Sequence, residues 1–161
     1  MVRSLVLALA LIAAAAPAWA QNASQISRVR GGASCPGCNL FQADLSGVEA
    51  SGLNLSRARL RQASLSLAVM NRARLNGADL RDVDGYGAVL GGASFAGADL
   101  TNASFVGAYF GGANFSGARL SGVNFSGANL GRASGLTQRQ LNGACGDEAT
   151  ALPRGLRIPA C

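Results

Sequence analysis

From residue 38 to residue 132 a large apolar side chain returns every fifth residue. In GGANFSGARLSGVNFSGANL, residues 111–130, these positions are Phe115, Leu120, Phe125 and Leu130. Counted in fives from Cys38, the register runs through 19 units without an insertion, and 17 of the 19 third positions are Leu, Phe or Met. The two exceptions are Ala50 and Gly85. The first position is Ala in 14 units, and the fifth is Gly in 11. Second and fourth positions are mostly Asn, Asp, Ser, Thr or Arg.

Neither regular element serves this pattern. A helix would turn about 500° per unit and scatter the large residues around its surface. A flat strand would place them on alternate faces. A solenoid accommodates it, with each unit making one short side and one corner. The first and third residues are two apart and face a shared axis. Glycine in the fifth position supplies the corner, where a positive φ or a close approach excludes a Cβ. Stacked units then bury a continuous core that no single unit could bury. Two departures predict local faults. Gly85 should leave a gap beside Leu65 and Phe105, and Ala50 followed by Leu53 should make one coil bulge.

The units ADLSG (43–47), NGADL (76–80), AGADL (96–100) and SGANL (126–130) resemble the A-(D/N)-L-x-x pattern of pentapeptide repeat proteins. The resemblance covers residues 38–132. It implies an all-β solenoid, a right-handed quadrilateral β-helix of about five coils. At about 4.8 Å per coil the stack would be roughly 23 Å long. Residues 21–37 would form a lead-in and cap, and 133–161 a short C-terminal helical and disulfide cap. In TQRQ, Thr137 and Gln140 have capping-box spacing, with Leu141 and Ala144 over the last coil.

The N-terminus adds a destination. Arg3, the apolar run 5–16 and the AWA of 18–20 read as a signal peptide cleaved after Ala20. The run would span roughly 18 Å as a helix, short of the roughly 30 Å of a membrane core. The expected mature chain is soluble, without a membrane span, and periplasmic or secreted. In an exported chain the four cysteines, Cys35, Cys38, Cys145 and Cys161, read as disulfides. Three pairings exist; the favoured one joins Cys145 to Cys161 around the Pro-containing tail and Cys35 to Cys38.

Composition removes chemistry. The chain has no His, and all 14 of its basic residues are Arg. The usual general base, the imidazole metal ligand and the lysine nucleophile are therefore missing. Asp82 with Asp84, and Asp147 with Glu148, have no supporting base and read as turn and cap residues. CPGC at 35–38 matches a thiol-redox motif but lacks the helix N-terminus that activates one. No catalytic residue, cofactor or metal site is expected.

Outward residues should form ladders 20 residues apart. One reads Arg59, Asp79, Asp99, Arg119 and offers ion pairs. A second stacks Arg61 on Arg81, either holding an anion or borrowing Asp79 and Asp99. A third sets Val69, Val89 and Tyr109, with Tyr86 on the adjoining side, where the repeat favours polar residues. These six, Arg61, Arg81, Val69, Val89, Tyr109 and Tyr86, are the candidate partner surface. Sequons at Asn22, Asn54, Asn102, Asn114 and Asn124 are mostly products of the repeat. The functional expectation is a non-enzymatic exported scaffold, monomer or homodimer, meeting a protein or an anionic envelope component. The alternatives are CxxC thiol redox and, through the resemblance, a gyrase-binding DNA mimic. The mimic conflicts with export and with a repeat region holding eight Arg against six acids. Nucleic-acid binding is not expected, since the arginines are not interleaved with aromatics.

Overall fold

The computed structural model describes residues 22–161. The proposed signal peptide, 1–20, lies outside the described residues. No described helix is long and apolar enough to cross a membrane.

The repeat folds as a four-sided solenoid. Each unit contributes its second residue to a parallel bridge with the residue 20 positions on, from Asn39 with Arg59 through to Asn114 with Ser134. Four units therefore make one coil. On either side of each bridge the backbone alternates partners: the Leu40 N–H donates to the Arg59 carbonyl at 2.8 Å, and the Arg59 N–H to the Cys38 carbonyl at 2.8 Å. Corners are β-turns closed within the chain, as where the Ala43 N–H donates to the Leu40 carbonyl at 3.0 Å. At every fifth position from 42 to 127, φ lies between +53° and +73°. That angle explains the preference for glycine, which alone adopts it without steric cost. Seven units break the preference and hold Gln42, Arg57, Gln62, Leu67, Arg72, Asp82 and Asn102 in the left-handed region.

First and third residues fill the interior as expected. Leu40, Leu55, Leu75, Phe95 and Phe115 are fully buried, and no buried residue among those described is polar or charged. The later coils hold an aromatic column. Phe95 stacks on Phe115 with ring centroids 5.0 Å apart, and Phe105 on Phe125 at 6.3 Å. Phe110 meets Phe95, Phe105, Phe115 and Phe125 edge-on.

The predicted gap at Gly85 is absent. A Cβ there would collide with Cε1 and Cδ1 of Phe105. The ring one coil on fills the space that a Leu would have taken. The predicted bulge at Ala50 and Leu53 is absent too. Glu49 still pairs with Val69, and Asn54 with Arg74. Leu53 is buried in the first position of its unit, and Ala50 is half-buried against the start of the solenoid.

Each end is covered. Helix α1 (Ala23–Arg30) is capped by Asn22, whose side chain accepts from the Gln25 N–H at 3.1 Å. Its Val29 is fully buried, and Gln25 Oε1 accepts the Asn39 N–H at 2.7 Å. Residues 33–37, ASCPG, keep the repeat's hydrogen bonds: the Cys35 N–H donates to Asn54 O at 2.9 Å and the Gly37 N–H to Ser56 O at 2.8 Å. The repeat geometry thus extends one unit upstream of Cys38. At the other end, α2 (Gln138–Leu141) has the expected capping box between Thr137 and Gln140, and Leu141 and Ala144 are buried. Gln140 Nε2 donates to the carbonyls of Phe115 at 3.0 Å and Ala118 at 2.9 Å, which ties α2 to the last coil. Beyond α2 the tail returns to extended pairing. Cys145 pairs with Asn124, Ala151 with Asn129, and Gly146 with Ala160.

Candidate functional site

The second-position residues have a local duty that their surface placement conceals. Asp44, Asn54, Asp79, Asp84, Asp99, Asn114 and Asn124 each accept, through the side chain, the N–H of the residue two further on. This Asx turn satisfies a donor at the corner that the ladder leaves open. It also accounts for the asparagine of three of the five sequons, Asn54, Asn114 and Asn124.

The charged ladders resolve into local pairs. Arg81 grips Asp79 within its own unit with two contacts of 2.7 Å, from Nε and Nη2. This hydrogen-bonded guanidinium holds the Asp79 carboxyl below its ordinary value of 3.8, and the same contact raises Arg81. Arg61 reaches Asp82 at 3.2 Å, and Arg119 reaches Asp99 at 3.7 Å. The two stacked arginines, Arg61 and Arg81, are thus each matched to a carboxylate. Arg59 forms no salt bridge among the described residues, and neither do Arg57, Arg72 or Arg74. All these groups are partly exposed, so each ion pair is worth about 1 kcal/mol or less. At the tail, the Asp147 carboxyl is lowered chiefly by the Gly127 N–H, which donates to it at 2.8 Å.

The apolar column is present as a column: Val69 bridges Val89, and Val89 bridges Tyr109. Its side chains do not form one strip. The Tyr109 ring lies back across Gly91 and Gly111; a Cβ at Gly111 would collide with its hydroxyl. Tyr86 belongs to another cluster. Its carbonyl accepts the Leu67 N–H at 2.8 Å, and Leu67 Cδ2 lies 2.9 Å from where a Cβ at Gly87 would stand. Leu67 and Tyr86 therefore sit together at one corner, 61% and 57% exposed, while Tyr109 is 43% exposed. Leu67 is absent from the candidate surface read from the sequence. The signal was available, since it is the only apolar residue among the non-glycine fifth positions.

The cysteines pair as favoured, Cys35 with Cys38 and Cys145 with Cys161, with Cα separations of 5.5 and 4.9 Å. Cys35 takes the third, core position of its unit and Cys38 the first position of the next, and both are buried. No described cluster of three or more acidic, Cys or His residues is placed to hold a metal.

A family model for pentapeptide repeats matches eight copies between residues 31 and 132. The chain belongs to the pentapeptide repeat family. Proteins of this family are in general non-catalytic structural or interaction proteins, and the family fold is a right-handed quadrilateral β-helix. Among solved structures, the chain is 30% identical to a pentapeptide repeat protein of the Arabidopsis thaliana thylakoid lumen, with a TM-score of 0.31, covering 64% of this chain and 57% of that one. It is 25% identical to HetL of the cyanobacterium Nostoc, involved in heterocyst differentiation regulation, with a TM-score of 0.32 and coverage of 75% and 62%. It is 20% identical to QnrB1, a plasmid-mediated fluoroquinolone resistance protein, with a TM-score of 0.35 and coverage of 72% and 79%. No curated protein sequence matches the chain.

Proposed function

We propose that this pentapeptide repeat protein is an exported, non-enzymatic scaffold that docks a protein partner on the corner formed by Leu67 and Tyr86. The observation that carries the reading is Leu67. It holds φ at +58° and is 61% exposed. A left-handed backbone costs a residue with a Cβ roughly 1–2 kcal/mol, and an exposed leucine recovers little of that within the monomer. Glycine, the common residue at this position, avoids the strain. Strain retained at an exposed apolar position fits a contact made with another molecule. Tyr86 beside it adds an aromatic body with a polar tip, which suits a protein interface. The two disulfides and the signal-like leader support a periplasmic or secreted setting.

The test is photo-crosslinking in intact cells, with a photoreactive residue replacing Tyr86 and, as control, Ser116. A discrete heterologous adduct at 86 and none at 116 is the expected result. A self-adduct would make the corner a homodimer face, and no adduct at 86 would remove the partner surface; either result overturns the reading. Export is tested separately by the mature mass, which should begin at Gln21.

A further inference from the structure

On the flank that carries them, Val69, Val89 and Tyr109 replace the Asx turn that Asn129 still makes further along. These side chains offer no turn acceptor, so the Gly91 N–H is capped from the preceding coil, by Asn71 Oδ1 at 2.9 Å. That bond fixes the Asn71 amide and leaves its Nδ2 free to donate. Tyr109 lies over a glycine floor, with a Cβ at Gly91 only 3.2 Å from its Cε1. Arg72 leans along the same flank, its Cγ 3.5 Å from where a Cβ at Gly92 would stand. Its guanidinium has no carboxylate partner among the described residues. Together with Ser51 these residues line an open groove of about 440 Å³ without an acidic side chain.

We propose that this groove binds an acidic saccharide, with a pyranose ring lying on Tyr109 and its carboxylate on Arg72. Arg72 and the Asn71 amide N–H groups donate, and the hydroxyls of Ser51 and Tyr109 can donate or accept, which suits an acidic ligand rich in hydroxyls. The guanidinium fork matches a carboxylate in two-point contact. Gly91 and Gly111 let the Tyr109 ring lie close to the backbone, and its outer face, on a residue 43% exposed, is the platform for a pyranose ring beside a few polar groups. A peptide strand gains less here, because the backbone of this flank is already paired in the ladder and offers no open edge to extend. The groove uses none of the residues of the Leu67–Tyr86 corner, so the two readings stand or fall separately.

The test is isothermal titration of the mature protein with trigalacturonate. Maltotriose serves as the neutral control, triglutamate as the acidic-peptide control and tripolyphosphate as the plain-anion control. Trigalacturonate should bind, and both Tyr109→Ala and Arg72→Gln should weaken it about tenfold or more. Arg81→Gln, on another flank, should leave it unchanged. Maltotriose should bind at least about tenfold more weakly, for want of the charge-assisted contact. Four results would each overturn the proposal: no binding of trigalacturonate, maltotriose binding as tightly, triglutamate or tripolyphosphate binding as tightly, or Tyr109→Ala without effect.

Discussion

Gly85 occupies a position that the repeat gives to leucine or phenylalanine, and alanine there is an informative substitution. Its φ is not left-handed, so the backbone does not require glycine. At such a site Gly→Ala ordinarily stabilises by about 0.4–1 kcal/mol, through the unfolded chain. Here the added Cβ would collide with two atoms of the Phe105 ring and stand 3.4 Å from a third. The ring has little freedom to yield. It is fully buried, with Phe110 at 5.2 Å and Phe125 at 6.3 Å between centroids. Overpacking of this kind costs about 1–3 kcal/mol and outweighs the entropic gain. Gly85→Ala should therefore lower Tm by about 2–8 °C. Phe105→Leu removes the ring atoms that the Cβ would strike. With that change present, the alanine penalty should shrink, giving a coupling energy of about 1–3 kcal/mol. Thermal melts of the four proteins by circular dichroism measure the cycle. An increase in Tm for Gly85→Ala alone, or an equal penalty with Phe105→Leu present, would refute the claim that the Phe105 ring fills the space.

Four further outcomes are expected. Leu67→Gly relieves a left-handed leucine and should leave Tm equal or higher while abolishing the Tyr86 crosslink; a clear loss of Tm would mean that Leu67 supports the fold itself. The Asp79 carboxyl sits below its ordinary value of 3.8 in the folded state, so its contribution is present above that value and is lost as pH falls through the lower folded pKa. Asp79→Asn, which keeps the turn acceptor, should flatten that part of the acid melting profile. The Cys145–Cys161 bond closes a separation of 16 residues, and Cys161→Ser should cost about 3 kcal/mol and open the tail to limited proteolysis. Gln140→Ala removes bonds to two carbonyls of the last coil and should lower stability by about 1–2 kcal/mol, read in the same melts.

Much of the fold was legible because one register decides it. The Leu and Phe of the third position, the Ala of the first and the glycine corner each follow from a five-residue side that faces one axis, and Thr137 with Gln140 carried its cap in the spacing. What escaped depends on the neighbouring coil. Gly85 looks like a void until Phe105, 20 residues on, is seen to fill it. Arg81 takes Asp79, one of the two carboxylates its stack with Arg61 was expected to borrow, but Arg61 takes Asp82, which the ladder spacing did not suggest. α1 was missed because ASQISRVR shows only Ile26 and Val29 as large apolar residues, too few for a helical stripe. The candidate surface was half legible. Its valines and tyrosines were visible as exceptions to a polar position, but the sequence does not say that Tyr109 leans away from Tyr86. Nor did a glycine count draw attention to Leu67, a corner where glycine is absent.

The bridges that join each second residue to the one 20 positions later have a consequence for how such a chain can change. Loss or gain of a whole coil leaves every later residue on its own flank and only alters the length of the rod. Loss of a single unit keeps the inward pattern intact yet turns everything downstream by a quarter of the perimeter. Tyr109 would then no longer share a flank with Asn71 and Arg72, although not one core residue had been replaced. Slippage during replication, in steps of one unit, can thus shuffle surface chemistry on a chain whose interior scarcely registers the event.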